Sequence, residues 1–393
     1  MGVMAHRTQA PPKVARRDLD IPEQLSRRRL RSRVIFALGL VVVVVLAVIL
    51  LPGLGELRSK LAHASLVWLL LGVGLKLLSG LGYVAVFRMI FCRRMSWRVS
   101  LQIGMSELGA NALIPTGGAG GLALGAWALK RGGMRSEEIA RRTVAFFLLT
   151  SLPNVLGVIV LGFGLAVGLF GDESNLLLTL LPAAIATGAI ALTLLAGRIA
   201  RAWGARLDRS ASVAASRHRL LIVKSLTAIG DGVREALVLL REGNAQLIVG
   251  LTAYLAFDVM ILWATFRALG PAPPLAILWI AYLIGELGGL IPVPGGIGGV
   301  DAGLVGTFAL YNVSLASAAG AVLAYRAIAL WVPAVVGGGA FIALRRTLRD
   351  EAERIAVCTP QTEIEVIGLG RVVIAEHAEP GVATLGRGVR PSA

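Results

Sequence analysis

From Glu107 to Gly121 the chain reads Glu-Leu-Gly-Ala-Asn-Ala-Leu-Ile-Pro-Thr-Gly-Gly-Ala-Gly-Gly, and from Glu286 to Gly299 it reads Glu-Leu-Gly-Gly-Leu-Ile-Pro-Val-Pro-Gly-Gly-Ile-Gly-Gly. Each copy opens on an acid, passes through Ile-Pro and ends in Gly-Gly-x-Gly-Gly. Each lies inside a long apolar stretch. Pro115, Pro292 and Pro294 remove backbone donors, and the glycines weaken the turns around them, so no helix runs unbroken through either copy. In a bilayer the freed backbone groups must be buried in protein or line a wet cavity. Two interrupted segments at corresponding positions of two halves point to a central transporter-type site.

Composition agrees. Of the 393 residues 56% are hydrophobic and only 16% charged, and several apolar runs reach about 20 residues, the length that crosses hydrocarbon. The expected fold class is therefore an all-α polytopic membrane protein with about six full spans and two re-entrant helical hairpins. The net charge of +16 sits in loops and ends. There it sets orientation and attracts anionic lipid, and no nucleic-acid partner is expected. Cys92 and Cys358 offer no disulfide or metal framework, and the four histidines have no zinc-ligand spacing. No nucleotide motif, nucleophile arrangement or cofactor signature is present, so no cofactor and no metal are expected.

Charge orders the topology. Residues 1–33 are basic and polar, expected to be disordered and cytoplasmic, and the first span is expected from Val34 to Leu51. A second span, Leu66 to Ile90, returns to a loop with Arg93, Arg94 and Arg98. The first motif segment, Leu101 to Leu129, has basic clusters at both ends. A hairpin that dips in and returns keeps both clusters inside; a single tilted span with a tolerated positive outer loop is the plainer alternative. Thr143 to Phe170 crosses outward, residues 171–175 form an acidic outer loop, and Leu176 to Ala196 crosses back. The basic linker 198–246 follows. In it Leu226, Ile229, Val233, Leu237 and Leu240 recur at helical spacing. That stripe fits an amphipathic helix on the inner leaflet or under the bundle, or a solvated linker helix. Leu247 to Phe266 crosses outward, and Ser314 to Leu344 is the last span, ending at Arg345, Arg346 and Arg349. Parity then returns the second motif segment to the side it left. Residues 66–170 and 247–344 form two halves of opposite orientation, an inverted repeat within a membrane domain of 34–350. The tail, 351–393, is expected to be cytoplasmic and largely disordered, with short strands conceivable over Glu363–Ala375.

Ionisable groups inside the bilayer are costly and usually functional. Glu107 and Glu286 open the two motifs, Asp301 follows the second glycine cluster, and Arg326 lies inside the last span. A carboxylate paired with Arg326 would neutralise both. Lys76 and Asp258 could snorkel or face a packed polar spot. At the hairpin tips Asn111, Pro115, Gly117, Gly118, Pro292, Pro294, Gly295 and Gly296 would surround free helix N-termini, which suit an anionic headgroup. The glycines equally serve close helix packing alone.

The run Asn111 to Gly118, the Leu129-Lys130-Arg131-Gly132 segment, Ile291 to Gly299 and Tyr325-Arg326 resemble the flippase-like membrane region of lysylphosphatidylglycerol synthetases. The resemblance covers roughly 65–344. It implies movement of a phospholipid or lipid-linked headgroup between leaflets of the cell membrane. In many members the second motif continues to an Arg/Asp-Glu pair where this chain has Val300-Asp301-Ala302. The residues after Arg349 are too few for the synthetases' soluble transferase domain, so the resemblance implies transport rather than lysine transfer. The sequence leaves three functions open: a lipid translocase, a membrane-embedded lipid-modifying enzyme using Glu107, Glu286 or Asp301, or a non-catalytic partner of a cell-envelope synthesis enzyme. A homo-oligomer is compatible with each.

Overall fold

The computed structural model describes residues 55–113, 119–167, 176–209, 217–288, 298–350, 363–367 and 371–375, together with Gly39. Among them are eleven helices: α1 (Gly55–Ala62), α2 (Leu66–Phe91), α3 (Trp97–Leu113), α4 (Ala119–Arg131), α5 (Ser136–Ala166), α6 (Leu176–Arg209), α7 (Arg217–Arg241), α8 (Ala245–Leu269), α9 (Leu275–Gly288), α10 (Gly299–Leu310) and α11 (Leu315–Asp350). In the tail, expected to be largely disordered, two short strands pair antiparallel, β1 (Glu363–Ile367) with β2 (Arg371–Ala375). The expected first span and the outer loop at 171–175 lie outside the described residues.

Among the described residues five helices are long and apolar enough to cross a membrane: α2, α8, and the main parts of α5, α6 and α11. Their outer faces carry large apolar side chains with no protein over them. Val67, Leu192 and Val335 are 75%, 66% and 70% exposed. Apolar surface on this scale needs a lipid solvent. The helices of the two motifs are shorter: 17 residues in α3, 13 in α4, 14 in α9 and 12 in α10. At 1.5 Å rise per residue, a 14-residue helix is about 21 Å long, short of the roughly 30 Å hydrocarbon core.

These helices stop and restart at the edges of the proline–glycine segments, and glycine then lets the arms pack. A Cβ on Gly121 would stand 2.5 Å from the Glu107 carbonyl oxygen, and one on Gly303 would stand 3.1 Å from Gly285 Cα. With Gly288 against Gly299, these contacts make α3–α4 and α9–α10 two antiparallel pairs.

The spine of the bundle is α2 against α8. Ser65 N donates to Ala268 O at 2.8 Å, Lys76 meets Asp258, Ser79 Oγ donates to Tyr254 O at 3.1 Å, and Gly82 packs on Gly250. The contact is antiparallel and runs the length of both helices. Each motif pair sits in its own packed cluster. The first holds Phe87, Phe91, Ile103, Leu124, Phe146 and Leu247, with Leu344 and Leu348 from the end of α11. The second holds Leu283, Leu304 and Phe308, with Leu262 and Phe266 from the opposite end of α8 and Val322 from the opposite end of α11.

α7 packs against α5 and α6 rather than standing as a solvated linker. Its buried line runs through Gly230, Val233 and Ala236, while Ile229 and Leu237 stay 41% and 36% exposed. The apolar stripe read from the sequence is thus split. Gly232 explains part of the shift: it brings the helix against Val144 and the Arg141 carbonyl, where a Cβ would not fit. Arg141 pairs with Glu235 at 2.7 Å, and Arg93 with Glu242 at 3.1 Å. One expectation is corrected: Cys92 is disulfide-bonded. The chain's other cysteine, Cys358, lies outside the described residues.

Candidate intramembrane polar site

Glu107 sits on the inner face of α3 and is 1% exposed. The Tyr83 hydroxyl on α2 donates to its Oε2 at 2.9 Å. Gly125 of α4 lies directly over the carboxylate, so that any Cβ there would overlap Oε1. One turn on, Asn111 Oδ1 accepts from Gly121 N at 2.7 Å. The amide of one arm thereby satisfies a backbone donor at the start of the other.

Asp301 does two jobs in the second pair. Its Oδ2 accepts from Gly298 N at 2.9 Å, and its Oδ1 lies 2.7 Å from Arg326 Nε on α11. Gly298 holds φ at +88°, a conformation that favours glycine. The start of α10 is therefore occupied by a carboxylate of its own first turn, which suits the positive helix end. The expectation of wholly free N-termini at the tips is corrected to this extent: each second arm has a donor already met by Asn111 or Asp301. Pro115, Gly117, Gly118, Pro292, Pro294, Gly295 and Gly296 lie outside the described residues.

Lys76 and Asp258 do not snorkel. They meet at 2.8 Å between the two spine helices, both buried, and Tyr282 OH of α9 donates to Asp258 Oδ2 at 3.3 Å. Glu286 lies one turn beyond Tyr282 on the same helix face. Its side chain is exposed, although Lys76, Asp258 and Arg326 stand within electrostatic reach. Among the described residues no hydrogen-bond or ion-pair partner meets it. Nor does any group of three metal-binding side chains gather among them.

The structure adds what the acids alone did not reveal. Four of the chain's five tyrosines join this site: Tyr83, Tyr254, Tyr282 and Tyr325. The rings of Tyr83 and Tyr254 are 5.5 Å apart, and those of Tyr282 and Tyr325 are 6.4 Å apart. A signal was present. Tyr254 precedes Asp258, and Tyr282 precedes Glu286, by one helical turn inside apolar runs.

Fold and site together define an integral, multi-pass membrane protein, all-helical in its membrane part, with ionisable side chains held inside the bundle. The chain belongs to the family described as the lysylphosphatidylglycerol synthase TM region, which it matches over residues 34–337. No curated protein and no solved structure matches it.

Proposed function

We propose that this protein is a lipid translocase of the cell membrane, moving a phospholipid or lipid-linked anionic headgroup between leaflets along the two motif pairs. On this reading the pairs are re-entrant hairpins of an inverted repeat, the chain termini are cytoplasmic, and Arg326 meets the headgroup phosphate while Asp301 holds it in place. The observation that carries the reading is the placement of the pairs. Each is too short to span comfortably, each has its own cluster, and the clusters include opposite ends of α8 and α11. Between them lie the charged and tyrosine side chains. Family membership supports a lipid-facing role.

The test is reconstitution in liposomes with a panel of headgroup-labelled lipids, reading leaflet exchange. Exchange of one class by the wild type, and its loss in Arg326→Ala at unchanged folding, is expected. Chemical change of a lipid without exchange would replace translocation by an enzymatic reading, in which the buried carboxylates serve as acid and base.

A further inference from the structure

The interior charges do not balance. Among the described residues, the ionisable groups of the intramembrane site are Lys76, Glu107, Asp258, Glu286, Asp301 and Arg326. Each cation already has an acid, Lys76 with Asp258 and Arg326 with Asp301. Two acids remain, and they are the equivalent first residues of the two motifs. Their surroundings differ. Glu107 is closed in by Gly125 and held by Tyr83. The glycine at the corresponding place in the second motif is Gly303, four residues after the last motif glycine, as Gly125 is in the first. It packs on Gly285 and the Ile284 carbonyl. Among the described residues no backbone therefore seals Glu286, whose side chain stays exposed on the inward face that also carries Tyr282.

A carboxylate with no cation of its own, in a membrane interior, is most readily neutralised by a proton. We infer that Glu286 is a protonation site open to exchange, and that its protonation admits an anionic headgroup to the site, coupling lipid movement to proton movement. The groups facing it are Lys76 on α2, Tyr254 and Asp258 on α8, Tyr282 on its own helix, and Tyr325 and Arg326 on α11. Deprotonated, Glu286 competes with a phosphate for Arg326 and repels it. Protonated, it no longer competes with the phosphate for Arg326, and the neutral carboxyl can itself donate a hydrogen bond. The coupling rests on the translocase reading above; the protonation site does not.

Two measurements separate them. Infrared difference spectra of the full chain in lipid nanodiscs, taken across a pH titration, should show a titrating carboxyl band that Glu286→Gln removes and Glu286→Asp shifts. A band unchanged by Glu286→Gln overturns the protonation site, and a melting curve like the wild type's shows that each variant is folded. In proteoliposomes, leaflet exchange should respond to an imposed pH gradient, by a factor of up to about ten per pH unit for one coupled proton. Glu286→Gln should exchange at a rate indifferent to that gradient. Wild-type exchange that ignores the pH gradient, or follows a sodium gradient instead, overturns the coupling while the translocase reading stands. Absence of exchange for every lipid overturns translocation and coupling together, and leaves the infrared result to decide the site.

Discussion

The Lys76 ammonium holds both carboxylate oxygens of Asp258, at 2.8 and 3.0 Å, across 182 residues of chain. The pair lies where the two spine helices cross the middle of the bundle, and Tyr282 adds a third polar contact. Breaking it from one side leaves a buried charge without a partner. Asp258→Asn and Lys76→Met should each lower unfolding stability by about 3–5 kcal/mol, and the double variant Lys76→Met/Asp258→Leu should recover most of that loss. Thermal unfolding in detergent reads all three. A double variant as unstable as the sum of the singles would mean that the pair is not a unit.

Gly109 of α3 and Gly337 of α11 bring two backbones into contact. A Cβ on Gly337 would stand 2.5 Å from the Met105 carbonyl oxygen and 2.6 Å from Gly109 Cα. Neither atom belongs to a flexible side chain. Gly337→Val should cost about 1–3 kcal/mol through overpacking. Gly338→Val, one residue on with nothing within 4 Å, should be tolerated. Equal melting temperatures for the two variants would contradict the contact.

Gly125 leaves room for the Glu107 carboxylate and for nothing else. Gly125→Ala should displace that side chain, break its bond from Tyr83 and lower stability. Glu107→Ala should relieve the clash, so the double variant should be more stable than the two single effects added together. A double-mutant cycle on melting measures the coupling; additive effects would remove the contact.

Glu235, on the basic linker helix, is pushed up from its ordinary value of 4.5 by burial, against the opposing pull of Arg141 and Arg142. The folded protein therefore holds this proton more tightly than the unfolded chain does. Its contribution is fully present below the ordinary carboxylate value and is lost as pH rises through the raised one. Melting followed from about pH 4 to pH 8 should fall less steeply in Glu235→Gln than in the wild type. Parallel profiles would contradict the shift.

Orientation is tested from the loops. In a background with Cys92 and Cys358 replaced by serine, cysteine at Asn312, in the turn between α10 and α11, should react with an impermeant thiol reagent added to intact cells. Cysteine at Glu137, at the start of α5, should react only after permeabilisation. Reaction of position 137 from outside would remove the re-entrant reading of the first pair.

Much of this was legible because membrane sequences state their constraints openly. The apolar runs gave the spans α2, α5, α8 and α11, since length and hydropathy decide insertion. The repeated Ile-Pro and glycine clusters gave the two interrupted pairs, since backbone chemistry forbids a continuous helix there. Pairings were less legible. Arg326 had three candidate acids, and only three-dimensional packing chose Asp301. Lys76 and Asp258 could be read only as snorkelling or facing a packed polar spot, because nothing local records that α2 and α8 lie antiparallel in that register. The helix α7 misled in detail because its tightest backbone approach is made at Gly232, which an apolar stripe does not count.

The spine of α2 and α8 has a mechanical consequence. Glycines 82 and 250 bring the backbones together near one end, a backbone hydrogen bond from Ser65 closes the other, and an ion pair pins the centre. Two rods fastened at both ends and in the middle cannot scissor apart without releasing a fastening. They behave as a keel. On the proposed translocase reading, a cycle of access from one side of the membrane to the other would fall to the short helix pairs, swinging about a part that stays still.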